Sequence, residues 1–173
     1  MAEKFRFGII GAGVISAYHA KAIEAHPDGK IVAVADVSRA CADRFAAEHG
    51  GEAVTDLGAM LRRTDIDAVC VCSPTYLHAE HAVAAIRAGK HVIVEKSMAI
   101  NLKDATRMIV AARDQNVKLA VIFQKRTEEA AQRIKKAIEA GVFGKMVFGD
   151  ASIKYWRNQA YYDSADWRGT WDK

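Results

Sequence analysis

The stretch Gly11-Ala12-Gly13-Val14-Ile15-Ser16 lies between a short apolar run, Phe5–Ile10, and an alanine-rich segment of helical period. A strand, a glycine-rich turn and a helix in this order are typical of dinucleotide-binding folds. The first glycine permits the tight turn. The second lets the backbone approach a pyrophosphate, whose charge the helix N-terminus stabilises. We therefore predict a Rossmann fold with cofactor-binding residues Gly11, Gly13, Val14 and Ile15.

An acidic residue follows at the spacing that such a fold uses. Asp36 comes twenty residues after Ser16, at the end of the predicted strand Ile31–Ala35. A carboxylate there accepts hydrogen bonds from the adenosine ribose hydroxyls, which favours NAD as the cofactor. Arg39 keeps NADP open and is a further cofactor-binding candidate, because a guanidinium can pair with a 2′-phosphate. In the alternative interpretation, Asp36 and Ser38 only begin the next helix as caps.

Short apolar runs alternate with longer alanine-rich segments over residues 1–125. The predicted strands are Phe5–Ile10, Ile31–Ala35, Ala53–Val54, Ala68–Cys72, His91–Val94 and Lys118–Ile122. The predicted helices are Val14–His26, Ser38–His49, Thr55–Arg63, Ala79–Ala88 and Leu102–Gln115. Such alternation is typical of βαβ units, and near-continuous apolar strands indicate a sheet covered on both faces. We predict an α/β class Rossmann domain with a doubly wound parallel sheet.

The sequence pattern changes after Ile122. An acidic first turn following Thr127 predicts one more helix, which Gly141 ends. Lys145–Trp156 then alternates roughly in the manner of a long strand. No later segment would pair with it, and its mostly apolar face would suit the same strand of another copy. We therefore expect a homo-oligomer.

Composition and charge narrow the class of protein. The 173 residues are 51% hydrophobic and 27% charged, which is ordinary for a globular chain. The 25 Lys and Arg are interleaved with 21 acidic residues, unlike the clustered basic face of a nucleic-acid binder. No apolar run reaches the ~20 residues that span a membrane, and the N-terminus does not resemble a secretory leader. We expect no nucleic-acid or membrane partner and a cytoplasmic location.

The cysteines and histidines predict neither a disulfide framework nor a metal site. Of three cysteines, Cys70 and Cys72 stand two apart on an apolar run and point to the same face of a strand. An odd number in this arrangement favours buried thiols in a reducing compartment. His78, Glu80 and His81 carry metal-ligating atoms, but no further ligand follows at a recognisable spacing.

Two motifs at predicted strand ends are more specific. Cys72-Ser-Pro-Thr-Tyr-Leu-His78 follows the fourth strand, and Glu95-Lys-Ser-Met-Ala99 follows the fifth. With the glycine turn, and with Gly141-Val-Phe-Gly-Lys145 and Trp167-Arg-Gly-Thr170 further on, they resemble the glucose–fructose oxidoreductase and inositol dehydrogenase family (Gfo/Idh/MocA). The resemblance implies that residues 126–173 are the truncated beginning of a C-terminal α+β domain for substrate binding and oligomerisation.

Members of this family oxidise or reduce a hydroxyl of a sugar, inositol or related polyol with NAD or NADP. The resemblance therefore implies an NAD(P)-dependent oxidoreductase that transfers a hydride between a substrate hydroxyl carbon and nicotinamide. It carries over cofactor contacts from both halves of the chain: Ser73, Thr75 and His78 at the nicotinamide half, Glu95 at the nicotinamide ribose, and Gln124, which with Arg126 would face the cleft between domains.

Lys96 is the catalytic residue that the resemblance implies. It would lie against the cofactor and reach the reacting hydroxyl of the substrate. Ligands of open α/β sheets bind outside the carboxyl ends of the strands, where Lys96 falls. The alternative is a surface lysine paired with Glu95. Ser97 stands where the family usually has a proline that restricts the preceding residue, so we expect Lys96 to be less firmly held.

Aromatic and arginine side chains crowd the C-terminal stretch. Residues 155–171 contain three Trp and three Tyr, with Trp171 among them. Aromatic faces beside arginines suit stacking on a sugar ring and hydrogen bonding to its hydroxyls, but they suit packing of a domain interface equally well. The candidate substrate residues besides Lys96 are Arg126, Trp156, Arg157, Trp167 and Arg168.

One segment that the resemblance implies is missing from the sequence. The family's second catalytic segment, a helix with Asp and His after a glycine run, normally follows the Trp-Arg-Gly-Thr stretch, whereas the sequence stops at Asp172-Lys173. We therefore expect an NAD(P)-dependent dehydrogenase by family whose isolated 173 residues are impaired or inactive. The alternative is a non-catalytic dinucleotide-binding module or fragment.

Overall fold

The computed structural model describes residues 4–170, which form two compact units that divide between Ile122 and Phe123. This division falls three residues before the predicted boundary between residues 125 and 126. The assignment of residues 126–173 to the start of a C-terminal domain stays a prediction. Trp171, which belongs to the predicted aromatic cluster, lies outside the described residues.

The first unit is a six-stranded parallel sheet in the order β3-β2-β1-β4-β5-β6. Its strands are β1 (Phe5–Ile10), β2 (Gly29–Ala35), β3 (Glu52–Val54), β4 (Ala68–Val71), β5 (His91–Val94) and β6 (Leu119–Val121). Its helices are α1 (Val14–Ala25), α2 (Arg39–His49), α3 (Leu57–Leu61), α4 (His78–Arg87) and α5 (Leu102–Asp114). The predicted doubly wound Rossmann sheet is confirmed.

The α2 helix begins at Arg39, one residue after the predicted start, with Ser38 as its N-cap. Two further helix starts differ from the prediction. The α3 helix begins at Leu57 because Asp56 caps it, accepting a hydrogen bond from the Ala59 N–H (3.0 Å). A 3₁₀ turn, Thr75–Leu77, precedes α4, so that helix begins at His78. Both differences lie at element boundaries, where local hydrogen bonds decide the terminal residue.

Neighbouring residues of each strand face two separate cores. Ile9 and Cys70 pack with the buried faces of α1 and α2. Ile10 and Val71 pack with α3, α4 and α5 on the opposite side. The sheet is therefore covered on both faces, as the apolar strands predicted.

The predicted burial of two cysteines is also confirmed. Cys70 and Cys72 are free thiols in the core shared with α1 and α2. Burial raises the pKa of Cys70 to about 12, so its thiol stays protonated at neutral pH.

The carboxyl ends of the central strands are level. Ile10 of β1 pairs with Ala35 of β2 and Val71 of β4, and Val71 pairs with Val94 of β5. Because the strand order reverses at β1, the connections that leave β1 and β4 lie where open α/β sheets bind ligands. The residues that follow these four strand ends share one edge of the sheet.

The second unit contains a 3₁₀ turn (Gln124–Thr127), α6 (Glu129–Glu139) and α7 (Gln159–Asp163). The predicted helix before Gly141 is present as α6. The predicted strand Lys145–Trp156 is wrong, because these residues have no regular secondary structure and are exposed. A strand requires a neighbour that completes its backbone hydrogen bonds, and no strand is present among residues 123–170. Pairing of this segment between two copies therefore no longer supports the expected homo-oligomer.

Among the described residues, no helix has both the length and the apolar composition that a membrane crossing requires. The longest, α5, has 13 residues and carries charged side chains on its outer face.

The α4–α5 layer provides a test of the packing. Met108 of α5 is fully buried among the core residues of α4, whereas its neighbour Ile109 is 49% exposed. Met108→Ala should lower the free energy of unfolding by about 2–4 kcal/mol, because it removes buried methylenes and leaves a cavity. Ile109→Ala, the matched control, should cost less than about 1 kcal/mol. Urea unfolding followed by circular dichroism measures both, and equal losses would contradict this packing.

Candidate cofactor site

The turn after β1 depends on Gly11. Its φ is +92°, and a Cβ built there would lie 2.9 Å from the backbone carbonyl of Cys72 and from the Ser73 nitrogen. Its N–H donates to the Ala35 carbonyl of β2 (2.8 Å). A side chain at this position would push apart the connections that leave β1 and β4.

Gly13 occupies a different environment. It is the N-cap of α1 with an ordinary φ of −87°, and no side chain caps the helix there. An added Cβ would meet nothing within 4 Å. Val14 is 83% exposed and Ile15 is half-buried, and the first turn holds no acidic residue. The helix start therefore offers backbone N–H groups and open space, which fits an anion such as a pyrophosphate.

The Asp36 carboxylate lies directly beside this turn. One oxygen accepts a hydrogen bond from the Ala12 N–H and the other from the Ser38 N–H, each 2.8 Å long. The N-cap of α2 is Ser38, whose hydroxyl accepts from the Cys41 N–H. The helix-cap interpretation therefore applies to Ser38 and not to Asp36. The Asp36 carboxylate instead joins the ends of β1 and β2 at the glycine turn.

Arg39 begins α2 and is exposed. Its Nε donates to both carboxylate oxygens of Asp43, one helical turn further on, at 2.8 and 2.9 Å. The hydrogen bond and charge of Asp43 raise the pKa of the Arg39 guanidinium. Arg39 therefore lies near the end of β2 with its cationic group already paired to an acid.

Two histidines of α4 contact Ser73 in the connection after β4. His78 is 1% exposed, with Nε2 lying 2.8 Å from the Ser73 carbonyl oxygen and Nδ1 lying 2.7 Å from the Ser97 carbonyl oxygen. His81 Nδ1 lies 2.9 Å from the Ser73 hydroxyl, and burial lowers the pKa of His81. Thr75 is half-buried at the start of the 3₁₀ turn. The buried His78 ring thus contacts both the loop after β4 and the loop after β5, one through each ring nitrogen.

Glu95 and Lys96 follow β5 and differ in environment. Glu95 is 7% exposed, and its Oε1 accepts from His19 Nε2 of α1 (2.9 Å). Its Oε2 accepts from the backbone N–H of Lys96 (3.2 Å). The Lys96 side chain is exposed, and within residues 4–170 no carboxylate lies within ion-pair distance of its amine. The predicted alternative, a Lys96 amine paired with Glu95, is not the observed arrangement.

Sequence reasoning missed His19. The residue follows Ser16 by three positions and precedes Ile23 by four, and both of these are buried on the inner face of α1. A histidine at that spacing faces the core, where its ring nitrogens require polar partners. This periodicity was the available signal, but the sequence alone does not identify Glu95 as the partner, because 76 positions separate the two residues.

The remaining site candidates lie in the second unit. The Arg168 guanidinium lies 4.4 Å from the Tyr161 ring centroid and 4.8 Å from that of Trp167. Arg157 lies 5.1 Å from the same Tyr161 ring, while Trp156 is exposed. These aromatic and arginine side chains therefore form a cluster of their own. Gln124 and Arg126 belong to the 3₁₀ turn that opens this unit.

Comparison with known proteins agrees with this geometry. Residues 5–123 match the model of an oxidoreductase family (GFO_IDH_MocA) with an NAD-binding Rossmann fold. The inositol 2-dehydrogenase of Rhizobium meliloti is 36% identical over 141 residues, covering 82% of this chain and 42% of that protein.

Two solved structures are similar over the described fold. The WlbA dehydrogenase of Bordetella pertussis, in complex with NADH and UDP-GlcNAcA, has a TM-score of 0.90 at 36% identity, covering 98% of this chain and 52% of that one. KijD10, a 3-ketoreductase from Actinomadura kijaniata in complex with NADP, has a TM-score of 0.76 at 34% identity, covering 83% and 46%.

The chain spans about half the length of the curated relatives it matches. The family match nevertheless extends over most of the chain and includes every strand of the first unit. The chain therefore belongs to the GFO_IDH_MocA family of oxidoreductases with an NAD-binding Rossmann fold.

Proposed function

We propose that this chain supplies the cofactor-binding half of an NAD(P)-dependent oxidoreductase that acts on a hydroxyl carbon of a sugar or polyol. The observation that carries the proposal is the bond between the Asp36 carboxylate and the Ala12 N–H. It supports the proposal because Asp36 could bond an adenosine ribose from a position beside the turn that would receive the pyrophosphate. Both lie at the sheet edge where open α/β folds bind ligands.

The residues present fit a dinucleotide. The uncapped start of α1 would hold the pyrophosphate, and Gly13 leaves it room. Each Asp36 oxygen already accepts one backbone N–H and retains a lone pair for a ribose hydroxyl. Asp36 favours NAD through these bonds and through repulsion of a 2′-phosphate. The pairing of Arg39 with Asp43 makes Arg39 a weaker phosphate ligand.

Lys96 is the residue that we assign to chemistry. When bound, the nicotinamide ring takes or gives the hydride. Lys96 is exposed at the same sheet edge, and no carboxylate among residues 4–170 pairs with its amine, which would leave it able to exchange a proton with a substrate hydroxyl. Glu95, buried behind it, would contribute its remaining lone pairs to the nicotinamide ribose.

The substrate class comes from the relatives. One is named for inositol, and another was solved with a nucleotide sugar derivative. The cofactors in the solved relatives include both NADH and NADP, so the preference for NAD rests on Asp36 of this chain. Because the family resemblance implies a C-terminal domain for substrate binding and oligomerisation, we further propose a cytoplasmic, homo-oligomeric protein.

A non-catalytic dinucleotide-binding module is the second candidate function. It is supported by the cofactor-site candidates Gly13 and Asp36, which both belong to the first unit. Both candidates require the same cofactor site. Only the proton-transfer role of Lys96 separates them.

The two glycines of the turn should respond differently to alanine. Gly13→Ala should weaken NADH binding at least about tenfold, because its Cβ would occupy the space proposed for the pyrophosphate, while the fold loses less than about 1 kcal/mol. Gly11→Ala should destabilise the fold itself by about 1–3 kcal/mol through its positive φ and the contact with Cys72. Calorimetric titration and thermal unfolding measure the pair. Unchanged NADH affinity in Gly13→Ala would contradict the pyrophosphate site.

Asp36 should set the cofactor preference. Asp36→Ala should weaken NADH about tenfold, since hydrogen bonds to a charged group are lost, and should leave NADPH binding equal or tighter. Ser38→Ala is the control, because it removes only the α2 cap and should change neither affinity by more than about twofold. If the two variants behave alike in titrations with both cofactors, Asp36 has no ribose role.

Lys96 should matter to turnover and not to cofactor affinity. Lys96→Ala in this chain should keep NADH affinity within about threefold. In an enzyme of the relatives' full length that contains these residues, it should lower kcat by about a hundredfold or more, as expected for loss of a general acid–base group. Lys103→Ala, an exposed lysine of α5, is the control. Near-normal turnover in the full-length Lys96→Ala enzyme would favour the non-catalytic candidate.

A further inference from the structure

The peptide segment that carries Lys96 has two backbone hydrogen bonds to side-chain partners, one on each side. On the first side, the Lys96 N–H donates to Glu95 Oε2 (3.2 Å). The Lys96 N–H has no other acceptor among residues 4–170. Glu95 is in turn fixed by His19, whose Nε2 donates to Oε1 (2.9 Å).

On the second side, the Ser97 carbonyl accepts from His78. The Nδ1 of that ring lies 2.7 Å from the Ser97 oxygen, and Nε2 lies 2.8 Å from the Ser73 oxygen. Carbonyl oxygens only accept hydrogen bonds, so the Ser97 oxygen is bonded when Nδ1 of the ring carries a proton. The ring therefore bridges the loops after β4 and β5.

The two histidines approach from opposite faces of the sheet. His19 belongs to α1, whose buried residues join the core with α2. His78 begins α4, whose buried residues join the core with α3 and α5. The segment between them is thus held by both helical layers, although Lys96 and Ser97 are themselves exposed.

We propose that His19 and His78 are positioning residues that hold the backbone of Lys96 and Ser97 from two sides and so aim the Lys96 amine. The inference rests on the proposed function, in which that amine exchanges a proton with the substrate. Such a group needs a placement within about half an ångström, and buried hydrogen-bonded partners supply it. In this way the chain would hold Lys96 without the proline that the family usually has at position 97.

Isomeric amides distinguish positioning from simple packing. The amide nitrogen of Gln corresponds to Nε2 of histidine, and that of Asn corresponds to Nδ1. His19 uses Nε2 toward Glu95, whereas His78 uses Nδ1 toward Ser97. His19→Gln and His78→Asn should therefore hold the segment, and His19→Asn and His78→Gln should release it. A packing role alone has no reason to reverse its preference between the two sites.

The experiment uses NMR on the 173-residue chain. Hydrogen exchange of the Lys96 amide reports its hydrogen bond to Glu95. The carbonyl carbon chemical shift of Ser97 reports the hydrogen bond from His78. His19→Asn should speed Lys96 amide exchange about tenfold relative to His19→Gln, the factor expected for one lost hydrogen bond to a charged group. His78→Gln should shift the Ser97 carbonyl, whereas His78→Asn should leave it near its wild-type position.

A histidine–glutamate pair elsewhere provides the matched control. His49 ends α2, and its Nδ1 lies 2.9 Å from Oε1 of Glu24 in α1. His49→Gln removes that donor and should leave both reporters unchanged. In the wild-type chain, the His78 ring should show an exchange-protected Nδ1 proton, which tests the hydrogen bond to the Ser97 carbonyl without any substitution.

The outcomes are separable from those of the proposed function. Equal exchange rates in His19→Asn and His19→Gln, or a His78 ring without a protected Nδ1 proton, would overturn the positioning roles. NADH titration of the wild-type chain tests the cofactor site independently. Absence of NADH binding in a chain that shows the expected NMR signals would overturn the proposed function.

Discussion

The hydrogen bond from the Ala12 N–H to the Asp36 carboxylate joins the turn after β1 to the end of β2. The second carboxylate oxygen accepts from the Ser38 N–H, just before α2. One side chain thereby satisfies donors of two connections that run past the sheet edge, where backbone groups lack strand partners. The close approach also requires Gly11, since any Cβ there would meet the backbone of the connection after β4. Three connections are packed together by one acid and one glycine.

The level strand ends extend this constraint to side chains that are remote in sequence. Because β1, β4 and β5 end in register, the residues after them are neighbours in space. A carboxylate after β5 meets a histidine of α1, and a histidine at the start of α4 meets a carbonyl of the β5 loop. The buried polar groups satisfy one another in this arrangement, and Lys96 is exposed at that edge with no ion-pair partner among residues 4–170. Stability and the proposed chemistry therefore depend on the same few contacts.

The second unit follows a different physical logic. Its ion pairs and ring contacts join residues that are close in sequence. The α6 helix carries ion pairs one turn apart, and arginines stack on the Tyr161 and Trp167 rings. Residues 145–156 alternate as a strand would, but alternation describes only which side chains share a face. The backbone hydrogen bonds of a strand come from a neighbour, and none pairs with this segment among the described residues.

Local pattern in the sequence was sufficient to predict the parallel sheet, its two covered faces, the glycine turn, Asp36 and the loops that follow β4 and β5. These features depend on apolar periodicity, on the positive φ that glycine allows, and on spacing within one βαβ unit, all of which are properties of neighbouring residues. Tertiary structure alone decided that His19 contacts Glu95, that His78 bridges Ser73 and Ser97 from a buried position, and that residues 145–156 form no strand. Each of these outcomes depends on a partner far along the chain or on the lack of one, and periodicity carries no information about such partners.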